Sequence, residues 1–304
     1  MNSRSNQSPR YLTLWAENRL EERVERLEAL LRSCTVCPKD CGNDRLNDEI
    51  AACYSGRLPI VSSYTAHFGE EPCLSGTQGA GNIFFGNCNL RCVYCQNYQI
   101  SQTWKEQKKN EITHERLAEM MLELQDRGCH NIGFVSPTHF APQMARAILL
   151  AAGKGLRLPI VYNTNAYDSV EVLRLLDGIV DIYLPDLKYA DSDAGFQYSK
   201  VRDYKEHARA AIKEMHRQMG DELSPKTAIS LMAQYYATNK AATDNRYILL
   251  SRRISEGEWF QAVSLLEELG MEEGFMQEFE SASHYYRPDF TDEEKPFKDI
   301  RDFH

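Results

Sequence analysis

The sequence predicts an α/β protein in which strands and helices alternate into a barrel or part-barrel. Three observations carry that expectation: short apolar runs alternate with amphipathic segments from residue 81 onward, the connections are short, and each run ends in polar residues. Alternation of this kind means parallel strands joined by crossovers. In such a barrel, ligands are bound at the C-terminal ends of the strands. Those ends read Cys88 to Cys95, then Ser136-Pro-Thr-His139, then Asn163-Thr164-Asn165, then Pro185-Asp186-Leu187-Lys188.

Taken in order, residues 1–10 read as disordered. From Tyr11 to Leu31, Leu14, Leu20, Val24, Leu27 and Leu31 recur at helical spacing among Glu and Arg, which predicts an amphipathic helix laid on the main body. The pattern is too short for a coiled coil. Cys34, Cys37, Cys41 and Cys53 follow at C-x2-C-x3-C-x11-C spacing in a stretch rich in Asp, Asn and Gly. They form a candidate second metal site, for a structural zinc or a second iron-sulfur cluster. The alternative is reduced thiols packed under the N-terminal helix. Residues 62–81 are Gly-rich and read as turns, with His67 and Cys73 as further candidate ligands set against ordinary structural roles.

Asn82 to Phe85 reads as the first strand. Thr113 is a helix N-cap for a segment running to Arg127 and closed by Gly128. Strands are expected at Asn131 to Ser136, Pro159 to Asn163 and Ile179 to Leu184, and helices at Gln143 to Ala152, Val170 to Leu176 and Tyr204 to Met219. Thr227 to Tyr236 reads as a last strand. Glu256 to Leu269 reads as a helix with Trp259, Phe260, Val263, Leu266 and Leu269 on its apolar side. The chain thus divides into an N-terminal helix and Cys-rich appendage (11–75), a core (76–270, shortened near 220) and a loosely ordered tail (271–304).

At 304 residues, with 42% hydrophobic and 26% charged residues, the chain buries one sizeable core and a small appendage. No apolar run reaches membrane-spanning length and residues 1–10 carry no apolar signal core, so the expected location is the cytoplasm. Nine cysteines grouped at ligand-like spacings point to metal rather than disulfides. A formal net charge of -9 disfavours a general nucleic-acid binder.

The chemistry concentrates in Gly81-Asn-Ile-Phe-Phe-Gly-Asn-Cys88-Asn-Leu-Arg-Cys92-Val-Tyr94-Cys95. Three thiolates at C-x3-C-x2-C on one loop suit a four-iron cluster that would normally take four cysteines, which leaves one iron open. An open coordination position separates a reactive metal site from a structural one. The alternatives are a three-cysteine zinc loop completed by a distant His, or three buried thiols. No acid-base pair, nucleophile triad or phosphate loop competes with this motif.

Together, the N-terminal cysteines, the Cys88 to Tyr98 run, Ser136-Pro-Thr-His139 and Leu184-Pro-Asp186-Leu-Lys188-Tyr resemble the uncharacterised relatives of pyruvate formate-lyase activating enzyme in the radical S-adenosylmethionine (SAM) superfamily. The resemblance runs from about Cys34 to Gly270. It implies a partial (β/α)6 TIM-like barrel lacking one late strand-helix unit, since five strands stand where the family has six. It implies a 4Fe-4S cluster on Cys88, Cys92 and Cys95, with Asp186 and Lys188 holding the methionyl carboxylate of SAM beside Asn163 and Thr164. Asn163 replaces an acidic residue of the family, so a cation site there does not carry over. The family's Gly-Gly-Glu turn is replaced by Ser136-Pro-Thr138-His139, leaving Thr138 or backbone carbonyls to receive the SAM amino group and His139 between a loop role and a ligand role. The implied activity is reductive cleavage of SAM to a 5'-deoxyadenosyl radical that abstracts hydrogen, fed by an external electron donor and directed at a protein substrate such as a glycyl residue. The rival readings are a non-catalytic metal-binding relative and an RNA-modifying radical SAM enzyme.

Overall fold

A computed structural model of the chain describes residues 8–223, 229–233, 235–269, 274–279 and 288–290. Its centre is a five-stranded sheet in the order β1 (Val61–His67), β2 (Ala80–Phe85), β3 (Ile132–Val135), β4 (Ile160–Thr164) and β5 (Ile182–Pro185). β2 to β5 are parallel neighbours, and β1 runs antiparallel along the outer edge of β2. This open, mostly parallel sheet is consistent with a partial barrel. Phe84 pairs with Val135, Val135 with Asn163, and Asn163 with Leu184, so the four parallel strands end level with one another. The loops that leave them therefore share one edge.

The packing explains the register. Every residue of β2 is buried, as strands covered on both faces must be. Helices α3 (His114–Asp126) and α4 (Ala141–Gly153) lie over the sheet with Leu117, Met121, Leu124, Met144 and Ile148 all at 0% exposure. Phe85 stacks on Phe134 at 5.7 Å between ring centroids. Each such side chain contributes roughly 1.5–3 kcal/mol when fully buried. Thr113 caps α3 as its sequence predicts, its hydroxyl accepting the Arg116 N–H at 3.2 Å. Helix α5 (Val170–Leu176), helix α6 (Ser192–Ser199) and helix α7 (Tyr204–Leu223) complete the β4–β5 side. Of these, α6 has no counterpart in the sequence prediction.

Four expectations are corrected. The single N-terminal helix is two, α1 (Arg10–Ala16) and α2 (Arg19–Ala29), divided at Asn18, whose left-handed φ of 58° ends the first and turns into the second. Both dock on the body as expected: Tyr11, Leu14, Leu20, Val24 and Leu27 join the main core. Residues 62–81, read as turns, supply β1, because Ser62 to His67 is half-polar and suits an edge strand. Of the expected last strand, the described residues show Ile229–Leu231, which pairs with Gly274–Met276 in a two-stranded sheet separate from the five-stranded one.

The fourth correction concerns α8 (Glu256–Glu268). Trp259 is its one buried residue, while Phe260, Leu265 and Leu269 are exposed. Its start is fixed by a capping box between Ser255 and Glu258, and Arg252 pairs with the same Glu258. Among the described residues, local polar contacts thus set the start of the helix, and Trp259 is the side chain it buries. Residues 1–7 and most of 271–304 lie outside the described residues.

Candidate metal centre

The exit of β2 is built for close approach. A Cβ on Gly86 would stand 2.8 Å from Gln107 Oε1 and 3.0 Å from Ser62 Oγ, so only glycine lets the chain pass. Asn87 then takes a left-handed φ of 63°, buried at 0% exposure, with its amide donating to Tyr54 O at 2.9 Å. Ser136 after β3 and Ala166 after β4 are also left-handed, at φ 57° and 61°. Non-glycine residues pay for this conformation with strain that the surroundings must hold. Three strand exits in a row turn this way, and all three face the same edge.

There the structure brings Cys88, Cys92 and Cys95 together. Cys88 and Cys92 belong to one buried cluster, and Cys95 and Tyr94 pack against it. Each sulfur has a hydrogen-bonding neighbour. Leu90 N–H donates to Cys88 Sγ at 3.4 Å, Ser199 Oγ to Cys92 Sγ at 2.9 Å, and Ser101 Oγ lies 3.2 Å from Cys95 Sγ. Asn165 Nδ2 adds a longer contact of 3.7 Å to Cys88 Sγ. Burial pushes all three thiols up, Cys92 to about 12, with the Lys188 ammonium pulling against it.

Lys188 brings an ammonium to the site. Its Nζ donates to Asp186 Oδ2 at 2.8 Å, and its backbone N–H donates to the Tyr204 hydroxyl at 2.9 Å. Burial works to lower its pKa, but Asp186 and the Cys92 sulfur outweigh burial and the net shift is upward. Its side chain keeps 22% exposure, so a ligand at the sheet edge can reach it, while Asp186 is more open at 56%. The Tyr204 hydroxyl also lies 2.8 Å from Asn165 O and 2.9 Å from Asp186 O, linking the exits of β4 and β5.

The remaining predicted residues fall into two groups. Asn163 and Thr164 lie in register with Leu184 and Pro185 beside the Asp186 turn. The Thr164 hydroxyl is committed inward: it donates to Asp168 Oδ2 at 2.5 Å and lies 3.0 Å from Thr138 Oγ1. Burial raises the pKa of Asp168, which also accepts from Tyr162 OH at 2.9 Å. His139 lies under the loop at 1% exposure, its Nε2 3.0 Å from Gly86 O, and burial depresses its pKa to about 3. The ring is neutral, and Nε2–H donates to that carbonyl. His67 pairs with Ala80 at the far end of β2, away from the cysteine loop, and Cys73 follows it on that side.

The four N-terminal cysteines also converge. Cys34, Cys37, Cys41 and Cys53 line one small pocket with Arg45 and His139. Arg45, 1% exposed, donates from Nε to Gly56 O at 3.1 Å and from Nη1 to His139 O at 2.7 Å, and its Nη2 has no partner. Arg91 clamps this appendage to the Cys88 loop by donating to Ala52 O and Cys88 O, with its guanidinium 4.9 Å over the Trp104 ring. Among the described residues, no group of three or more His, Cys, Asp or Glu stands ready for a single metal ion. A four-iron cluster puts each ligating sulfur on a different iron, so its ligands need not meet at one point.

An open, mostly parallel α/β sheet thus carries, at the ends of its parallel strands, three hydrogen-bonded cysteine sulfurs, two of them on buried residues, and the Lys188 ammonium, a donor set of the kind that metal cofactors use. The radical SAM superfamily model matches residues 82–240, and the chain belongs to that superfamily. Members of the superfamily typically use a 4Fe-4S cluster and SAM. Two curated relatives come from Methanocaldococcus jannaschii. The chain is 30% identical to uncharacterized protein MJ0674 over 67% of its own length and 59% of the relative's. It is 26% identical to uncharacterized protein MJ0808, over 58% and 54% respectively. The matched segments thus span somewhat over half of each relative. Among the described residues, no helix is long and apolar enough to cross a membrane.

Proposed function

We propose that the chain is a radical SAM enzyme in which Cys88, Cys92 and Cys95 hold a 4Fe-4S cluster and Lys188, with Asp186, holds the carboxylate of SAM. The observation that carries this reading is the set of three sulfurs, those of Cys88 and Cys92 buried and that of Cys95 partly so, each beside an N–H or O–H group, with the Lys188 ammonium acting on them. Donors to sulfur and a nearby cation favour thiolate over thiol and so fit the group. When bound, the cluster and SAM supply one-electron cleavage of the sulfonium and a hydrogen-abstracting 5'-deoxyadenosyl radical.

The chain's own residues do the rest. Arg91 and Asn87 fix the loop from behind by bonding to Ala52 O and Tyr54 O. Tyr204 sets the backbone of Lys188 relative to Asn165. Leu90, Tyr167 and Tyr189, all buried, line the thiol cluster and keep water from it. The likeness of the motifs to those of pyruvate formate-lyase activating enzymes supports a glycyl residue of a partner protein as the substrate class, with an external one-electron donor.

The test is anaerobic reconstitution of the full chain with iron and sulfide, then dithionite and SAM, with 5'-deoxyadenosine as the product measured. Wild type should hold about four irons at this loop and form deoxyadenosine, and Cys92→Ala should lose both. A bound cluster without deoxyadenosine would favour the non-catalytic reading, and cleavage retained in Cys92→Ala would overturn the assignment. Retention on RNA at physiological salt would favour the RNA-modifying reading against the net charge of -9. Zinc or further iron that is lost in Cys37→Ser would place a metal in the N-terminal pocket.

A further inference from the structure

The cysteine loop is tied to the end of α6 on both sides of Cys92. Arg91 N–H donates to Ser199 O at 3.0 Å, and Val93 N–H donates to Tyr198 O at 2.9 Å. Two backbone bonds that bracket one residue leave little freedom between Cys92 and Ser199. The Ser199 side chain is 0% exposed, and its hydroxyl stands 2.9 Å from Cys92 Sγ. The same hydroxyl is 2.5 Å from Tyr189 OH, which is 2.7 Å from Tyr94 OH.

Each hydroxyl carries one proton, and that fixes the direction of the chain. With the Ser199 O–H directed at the Cys92 sulfur, its oxygen accepts from Tyr189 O–H. Tyr189, whose O–H is directed at Ser199 Oγ, then accepts from Tyr94 O–H. The order Tyr94 to Tyr189 to Ser199 to Cys92 is then the one that satisfies every contact. Hydrogen bonds aligned head to tail polarise one another, and here they end on a single sulfur. Tyr94 lies on the same loop two residues after Cys92, so the chain leaves the loop, crosses the β5–α6 connection and returns to it.

We propose that Ser199 is a positioning residue whose hydroxyl, oriented by Tyr189 and Tyr94, donates to Cys92 Sγ and raises the reduction potential of the cluster that Cys92 holds. This rests on the cluster reading above. A donor to a ligating sulfur stabilises the more negative, reduced state more than the oxidised one, which is how hydrogen bonds to sulfur tune such centres. Cys88 and Cys95 have other neighbours, so the device acts on one corner of the cluster.

The test is a redox titration of the reconstituted full chain without SAM, followed by electron paramagnetic resonance of the reduced cluster, with iron counted in each sample. Ser199→Ala should keep its iron, and its reduced-to-oxidised ratio at a fixed potential should fall about tenfold, which is about 59 mV for one electron. Tyr189→Phe leaves the serine in place but removes the group that orients it, and should shift the ratio in the same direction by a smaller factor. An unchanged midpoint in Ser199→Ala at full iron content would overturn the proposal. Should Ser199→Ala lose its iron, an unchanged midpoint in Tyr189→Phe would do the same. A wild-type chain that takes up no cluster would instead overturn the functional reading beneath it, so the two failures are distinguishable.

Discussion

The Lys188 backbone N–H donates to the Tyr204 hydroxyl at 2.9 Å, so a tyrosine at the start of α7 fixes the residue that presents a cation to the thiol cluster. The Tyr204 ring is fully buried and stacks with Tyr167 at 6.1 Å between centroids. Tyr204→Phe keeps that packing and removes the oxygen. It leaves the Lys188 N–H without its partner, at a cost of about 1–3 kcal/mol. Urea denaturation should show that loss, and SAM affinity should fall severalfold with iron content unchanged. Unaltered stability and affinity would mean that the rim of β5 holds its shape without Tyr204.

Lys188 itself should matter for binding more than for folding. Its pairing with Asp186 is partly open to solvent, at 22% and 56% exposure, and exposed pairs contribute little to stability. A charge-assisted bond to a carboxylate ligand is stronger. Lys188→Met should therefore weaken SAM binding by about tenfold, roughly 1.4 kcal/mol, while the melting temperature moves little. Equilibrium dialysis of labelled SAM against the reconstituted chain reads this directly. Equal affinities would reduce Lys188 to a partner of Asp186.

The parts of the site that the sequence announced share one property: they lie close together along the chain. Cys88, Cys92 and Cys95 are one loop, Asp186 and Lys188 are one turn, and β2 to β5 are continuous apolar runs whose ends could be read off in order. Ser199, Tyr189 and Tyr204 were not found, because the contact from Ser199 to Cys92 spans 107 residues and no local spacing marks it. β1 was hidden for a different reason. Its half-polar residues and flanking glycines look like turns until pairing with β2 shows them as an edge. Thr164 and His139 show why strand-end polarity alone does not separate a ligand role from a structural one: Thr164 donates to Asp168 Oδ2 and His139 Nε2 lies 3.0 Å from Gly86 O, contacts that hold the strand ends together.

The N-terminal helices should behave as core rather than as an attachment. Leu20 and Leu27 are at 0% exposure, and Arg146 on α4 grips Glu28 through Nε at 2.8 Å with its Nη2 on the second oxygen. Leu20→Ala should destabilise the whole chain by about 2–5 kcal/mol, as core truncations do. Glu28→Gln should cost no more than about 1 kcal/mol, because the pair is partly exposed. Thermal unfolding should give one shifted transition for Leu20→Ala. An early separate transition would show that α1 and α2 detach from the core on their own.

His139 gives the fold a dependence on acid that can be isolated. Its pKa is depressed by burial from 6.5 to about 3, so between those values the unfolded chain binds a proton that the folded chain does not. Stability from this group is therefore full above about pH 6.5 and is lost as pH falls toward 3. The slope approaches about 1.4 kcal/mol for each tenfold rise in proton activity, the free energy of one proton bound by the unfolded chain alone. His67, lowered to about 4 by burial, acts in the same direction. Asp168, raised by burial, acts oppositely, since its proton is held more tightly in the folded state. The informative quantity is therefore the difference between wild type and His139→Gln, in which the amide can still donate to Gly86 O. Urea unfolding at pH 7, 6 and 5 should show wild type losing stability faster than the variant below pH 6.5. Parallel curves would mean that His139 takes up its proton at Nδ1 within the fold, with Nε2–H still donating to Gly86 O.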